Sequence, residues 1–424
     1  MRGMAQTLEP DARRSFGLLW AGQAISQLGD AIFLTTLLLW VADLTDSPAA
    51  VGAVLAVEAI PILLVSPLAG VFVDRWRYKS TLIYSDLARA VLVALLIIVQ
   101  SSDLLWLIFI DVFLISVVTR FFFPSLMAAL PVVAGEGRLT RSISYVRATV
   151  NVAYIAGPLI AAPLFVYAGP EVALAVNALS FLASAVALAF CRLEQPRTQA
   201  ARGLAHVRQE LMSGVRLVRS SRLQSTALTV GFLVLLGAGT MNAVNIFFIE
   251  EALNEPRSYL GLVNGLGGLG FAIGALALIP LANRLTLWRL IGIGLLLMGA
   301  ASLVYAQLSL IFPALVVYTM FGLGNGVADT ANQSFILSRT PGLFRGRIIS
   351  LHTMAANAAV VGGSAAAGFL AESIDTRWLI SSTSVLFVLA GCFALWSFSR
   401  LPGSDADEEP DTTDEDGRLE RIEA

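Results

Sequence analysis

Lysine, cysteine and histidine are almost missing from this chain, and charge of any sign is scarce. Among 424 residues there is one lysine, Lys79, beside 27 arginines, with two cysteines, two histidines and 14% charged residues. Cys191 and Cys392 are too few for a disulfide framework or a zinc-ligand spacing, so no metal is expected. His206 and His352 have no cysteine or carboxylate placed to form a triad with them. No phosphate-cradling P-loop is present, which leaves ATP hydrolysis and enzymatic chemistry without support, and no cofactor is expected. The near-exclusive use of arginine hints at a GC-rich, bacterial genome.

What is abundant is apolar sequence, at 57% of residues. Crossing a bilayer takes about 20 apolar residues per helix. Runs between charged or turn-rich breaks give spans at 16–42, 50–72, 79–100, 104–130, 141–168 and 170–192. Six more follow at 223–249, 257–281, 288–307, 310–338, 345–371 and 377–398. The expected fold class is an all-α integral membrane protein, with 12 transmembrane helices in two pseudo-symmetric six-helix bundles. The domains expected are an N-terminus (1–15), a first bundle (16–192), a linker (193–222), a second bundle (223–398) and a tail (399–424). In the linker, Val207, Leu211, Val215 and Val218 recur at helical spacing among arginines, the pattern of an amphipathic joining helix on the membrane surface. The tail carries ten acidic groups against three arginines, so the formal net charge of −2 hides a basic remainder. Its composition predicts a solvated, disordered segment.

Basic residues set the orientation. With a cytoplasmic N-terminus, 24 of the 28 basic groups fall inside, Arg257 and Arg377 outside, and Arg89 and Arg120 within spans. Both termini are therefore expected in the cytoplasm of a multi-pass plasma membrane protein, bacterial inner membrane included. The first span is too long for a removed signal peptide and reads as an anchor. The same distribution leaves no surface for nucleic acid. The lipid bilayer, a small-molecule substrate and protons are the expected partners of a monomer.

Two stretches carry sharper information. "GVFVDRWRYKS" joins the second and third spans and packs Asp74, Arg75, Arg77 and Lys79 together after Gly70; "IPLANRLTLWR" places Asn283-Arg284 at the matching point of the second half. A repeated six-helix unit with a polar inner linker is a transporter pattern. In the fifth span, "AYIAGPLIAA" contains Gly157-Pro158 among alanines. With "FFFPSLMAALP", "NALSFLASA" and "RGRIISL", these residues resemble the major facilitator superfamily over about 15–400. The branch resembled contains macrolide efflux proteins and the enterobactin exporter among drug:proton antiporters. The first motif departs from the usual pattern at Arg77 and Tyr78, and the second at Ala153, Ala161 and Ala162.

The resemblance implies alternating access, with Gly70, Asp74, Arg75 and Lys79 as a conformational latch that closes the inner side in the outward-facing state. A carboxylate at Asp74 can accept N–H groups at a helix start, and the bases can bridge to the adjacent bundle. The alternative is a solvated, positive-inside loop. The resemblance also places Gly157 and Pro158 in the outer gate of exporters, where small residues let another helix approach.

Charges inside the bilayer cost about 2.5–3.5 kcal/mol each at its centre and are expected to face a cavity or a partner. They are Asp30, Glu58, Asp86, Arg89, Asp111, Arg120 and Asp329. Asp86 and Arg89 are placed to pair with each other. Arg120 is taken as the charge partner of Asp30. Asp111 lies nine residues from Arg120, about 13 Å by helical rise, too far to pair with it. A permanent pair would make Asp30 structural; a breaking one would let it carry a proton. "SQLGD" recurs in the resembled branch. Glu58 and Asp111 are further proton-coupling candidates. Gln23, Gln27 and Asp30 share one helix face, and with Phe33, Tyr154, Asn242, Asn245, Asn325 and Asp329 they are candidates to line the substrate cavity. Phe247 and Phe248 join them in this reading.

The function expected is secondary active export of a small amphiphilic, drug- or macrolide-like molecule, coupled to proton antiport. The alternatives are a siderophore or metabolite exporter, a proton-independent lysophospholipid-type carrier, and a non-transporting sensor or assembly subunit.

Overall fold

The computed structural model of the chain describes residues 2–73, 75–134, 139–193, 212, 215, 216, 218, 219, 221–340 and 345–400. Asp74, most of the linker with Val207 and Leu211, and the acidic tail lie outside the described residues. The helices are α1 (Arg2–Thr45), α2 (Pro48–Leu64), α3 (Ser66–Val73), α4 (Tyr78–Leu96), α5 (Leu105–Ala134), α6 (Leu139–Ala168) and α7 (Pro170–Phe190). The second half comprises α8 (Arg222–Glu251), α9 (Tyr259–Ala282), α10 (Leu287–Gln307), α11 (Ile311–Ser338), α12 (Arg345–Leu370) and α13 (Thr376–Phe398).

Helices are what a chain this apolar must form, because lipid offers no partner to backbone N–H and C=O groups. Among the described residues, ten helices are long and apolar enough to cross a membrane. The remaining two crossings are the broken pair α2–α3 and the charged α4. The break at Val65 has a local cause. Pro67 has no N–H to continue the ladder and sits in the first turn of α3, where none is needed. Side-chain caps start other helices: Ser47 accepts from the Ala50 N–H at 3.2 Å, and Asp375 from the Arg377 N–H at 2.7 Å. Helix α1 begins at Arg2, so the expected N-terminal segment and first span are one continuous helix.

In the first half α1 packs on α6 and α7, and α4 on α5 and α7. In the second half α11 packs on α9 and α10, while α8 packs on α12 and α13. The halves meet mainly through two helix pairs, α2 with α12 and α6 with α9. Small residues make both crossings close. A Cβ on Gly52 would fall 2.5 Å from the Ser364 carbonyl oxygen, and one on Gly261 would fall 2.3 Å from that of Pro158.

These approaches lie toward the side away from the linker, here called the far side. There Arg257, in the α8–α9 turn, ties the halves together. Its Nη1 donates to the Ala42 carbonyl at 2.7 Å and lies 3.5 Å from Asp43 Oδ1. Its Nη2 bonds Asp46, and its Nε donates to Glu250 at 2.6 Å. Burial works against the Arg257 charge, but the bonds to Asp46 and Glu250 outweigh it and raise the guanidinium above its ordinary pKa. Ser47 Oγ adds a hydroxyl–carboxylate bond to Glu372 at 3.1 Å. Arg377 donates to the carbonyls of Ala252 and Ala306, both at 2.9 Å, and so caps the last turns of α8 and α10.

The Arg257 cluster predicts its own opening. Its carboxylates are substantially exposed, so each pair is worth roughly 0.5 kcal/mol. Only the pairs with Asp43 and Asp46 cross between the halves, and together they amount to about fivefold in the ratio of far-side-open to far-side-closed molecules. Spin-label distances across the far side should lengthen by that population shift in Arg257→Ala.

Candidate functional site

A cavity of about 230 Å³ lies within the first half, walled by α1, α2, α5 and α6. Gln27, Asp30 and Phe33 reach it from α1, Glu58 from α2, Arg120 from α5 and Tyr154 from α6. The rest of the wall is apolar except for Ser116 and Thr119, and two carboxylates and one guanidinium share it. Ser116 Oγ donates to the Glu58 carbonyl at 2.5 Å and fixes α2 against α5 at this level. Arg120 Nε donates to the Ser116 carbonyl at 3.2 Å within its own helix.

Asp30 has a different partner from the one expected. Its Oδ2 lies 3.7 Å from Nη1 of Arg89, on α4. Arg89 Nη2 also bonds Asp86 Oδ1, which makes a line of carboxylate, guanidinium and carboxylate across two helices. The rings of Phe122 and Phe181 cover the guanidinium, with centroids 4.3 and 4.2 Å from its Cζ. Arg89 is thus 2% exposed yet answered by two anions and two aromatic faces. Arg120 instead acts first on Glu58 and more weakly on Asp30. The Asp86–Arg89 pair is present as its spacing suggested. The cause of the revised pairing is the packing of α4, which points Arg89 through to α1.

The structure moves several other expected cavity residues. Gln23 is 2% exposed, and its Nε2 approaches Ser184 Oγ of α7 at 3.4 Å, away from the cavity. Asn245 is buried and accepts a bond from the Tyr305 hydroxyl at 2.8 Å, as a tie between α8 and α10. Phe247 and Phe248 belong to the packed core, not to a cavity wall. Asp111 is buried with one oxygen, Oδ2, lacking a partner, and it does not line the cavity. In the second half Asn242 is exposed, while Asn325 and Asp329 are half-buried. Asp329 accepts from Gln333 Nε2 at 2.8 Å. None of these second-half groups is brought to the wall of the first-half cavity.

The fifth-span motif does sit at close crossings. A Cβ on Gly157 would fall 2.3 Å from Cβ of Ala31, next to Asp30. On the other side, Pro158 and Ala162 receive Gly261 of α9. The motif therefore joins the cavity helix α1 to the second half through α6.

The expected latch is reached only in part, because Asp74 lies outside the described residues. Gly70 lies in α3. Lys79 does not bridge to the other bundle: its Nζ donates to the carbonyls of Ala189 and Cys191 at 2.7 and 2.8 Å. That geometry suits a cation at the C-terminus of α7, in the same half. Arg75 and Arg77 are exposed beside Trp76, whose ring stacks 5.5 Å from those of Phe72 and Phe121.

Residues 5–420 match the family model described as transmembrane secretion effector, within the major facilitator superfamily. The chain belongs to this family. It is a multi-pass membrane transporter of that superfamily and not an enzyme. Macrolide efflux protein A of Streptococcus pyogenes is 23% identical over 383 residues, covering 89% of this chain and 95% of that protein. The MFS-type transporter YfiS of Bacillus subtilis is 24% identical over 400 residues, 91% of this chain and 93% of its own. A bacterial homologue of the human lysosomal transporter Spinster, solved inward-facing and unoccupied, superposes with a TM-score of 0.74 at 12% identity. That match covers 92% of this chain and 97% of the homologue, and shows the shared twelve-helix fold.

In this transporter the Gly157–Ala31 crossing leaves no room for a branched side chain. Gly157→Val should destabilise the folded protein by about 1–3 kcal/mol through overpacking. The expected measurement is a lowered unfolding midpoint in detergent.

Proposed function

We propose that the chain exports small amphiphilic molecules by alternating access, driven by inward proton movement. The observation that carries this reading is the cavity where Asp30 and Glu58 stand among apolar walls with Arg120 and Tyr154. A pocket of this kind binds apolar cargo with few polar anchors. Half-buried acids that share limited positive charge are the groups able to exchange protons across a cycle. The count of basic residues supports cytoplasmic termini in a bacterial inner membrane. In that orientation the far-side contacts of α2 with α12 and α6 with α9 close the outer face, as in an inward-facing state. Export is favoured by the small-residue motif of α6 at Gly157-Pro158, and macrolide-like cargo by the relatives named for macrolide efflux.

Gly70, Asp74, Arg75 and Lys79 keep their proposed role as a latch on the cytoplasmic side, with Lys79 acting through its anchorage of α7. Normal insertion with lost transport is expected for Asp74→Asn; full activity would reduce the stretch to a loop.

Reconstitution in liposomes with an imposed pH gradient tests the mechanism, with erythromycin as first probe and pyranine reporting proton flux. Gradient-driven accumulation is expected for the native protein, and its loss in Asp30→Asn or Glu58→Gln. Transport indifferent to the gradient, or coupling unchanged in both variants, would overturn antiport.

A further inference from the structure

The Asp30–Arg89–Asp86 line holds one cation between two acids, and the two acids are not equivalent. Asp30 has a side chain 35% exposed on the cavity wall, whereas that of Asp86 is fully buried. An arginine guanidinium does not give up its proton in proteins. It is bonded to Asp86 but stands 3.7 Å from Asp30, an ion-pair contact beyond hydrogen-bond length. The rings of Phe122 and Phe181 hold it there. The other charged groups acting near Asp30 are Arg120 from α5 and Glu58 from α2; Tyr154 is the titratable group from α6.

We infer that Asp86 is a positioning residue that keeps Asp30 able to exchange its proton, by holding the charge of Arg89. This rests on the reading of Asp30 as a proton carrier. When Asp30 is protonated, Arg89 and Asp86 still form a neutral pair, so no buried charge is left alone. When Asp30 is ionised, the line carries one net negative charge facing the cavity, where water and Arg120 can answer it. Both states are therefore accessible. Without the Asp86 charge the balance changes. An ionised Asp30 then exists to neutralise Arg89, and protonating it would strand a buried guanidinium, a costly outcome. Asp30 would be held ionised through the whole cycle. The proton moves between water in the cavity and one carboxylate oxygen of Asp30, and no covalent step is involved.

The same logic separates Asp86 from a residue that merely supports folding. A structural role predicts loss of folded protein when Asp86 is changed, but no selective change in proton binding. The inferred role predicts folded protein whose Asp30 binds its proton more weakly.

The test is pH-difference infrared spectroscopy on the full chain in liposomes. The carboxyl C=O band of Asp30 is identified by its disappearance in Asp30→Asn. In Asp86→Asn its midpoint should move at least about one pH unit to the acid side, a tenfold weaker proton affinity. Asp86→Glu should restore the native midpoint, and it keeps the readout available if Asp86→Asn fails to fold. An unchanged midpoint in Asp86→Asn would overturn the inference, as would an Asp86→Glu midpoint displaced as far as that expected for the amide. Pyranine flux separates the two levels of argument. Gradient-indifferent native protein defeats the antiport reading itself, whereas coupled native protein with a coupled Asp86→Asn variant defeats this inference alone.

Discussion

A charge inside hydrocarbon must be answered by protein, and that constraint organises this structure from one face to the other. Four basic residues stand apart from the crowd at the linker side, and each is answered differently. Arg89 is enclosed by two carboxylates and two rings. Arg120 borders the cavity and works on Glu58. Arg257 gathers acids from both halves, and Arg377 caps two helix ends. The exceptions to the charge bias are thus fixed points of the fold, and the cavity lies beside two of them.

The second organising feature is the absence of side-chain bulk where the halves meet. Gly52 against Ser364 and Gly261 against Pro158 bring backbones into contact with little interdigitation. Contacts of this kind are van der Waals in nature and carry no desolvation cost when they part. Polar ties at the far side, centred on Arg257, add direction to that closeness. Reversible contacts flanking a polar cavity suit a protein that alternates between two packings. The first half holds the acids in the cavity, whereas several amides of the second half serve as ties between helices. Asn245 bonded to Tyr305 is the clearest case.

Much of this was legible from the chain. Twelve apolar runs separated by short polar breaks anticipate the helices to within a few residues at most ends. The broken second span and the early start of α1 are the main departures. Whether a proline such as Pro67 breaks, bends or begins a helix depends on its neighbours. The Asp86–Arg89 pair is readable because residues three apart on one helix are neighbours whatever surrounds them. Asp30, Gln27, Phe33, Glu58, Arg120 and Tyr154 were singled out by residue type, and the structure gathers them at one cavity. Gln23 shares a face with Asp30 and still turns to Ser184, because helices cross at angles and a single face meets different neighbours along its length.

The amino-acid sequence by itself determined the membrane class, the number of crossings, the two-half plan and the identity of the costly charges. Those properties follow from composition and period, which are local along the chain. Tertiary structure alone decided which charge answers which. Arg89 and not Arg120 reaches Asp30 because α4 turns that face toward α1, and rotation about a helix axis is set by packing with neighbours distant in sequence. The same packing buried Asn245 and opened Tyr154 to the cavity. An ion pair between helices is a fact about three-dimensional register, and hydropathy along one dimension does not contain it.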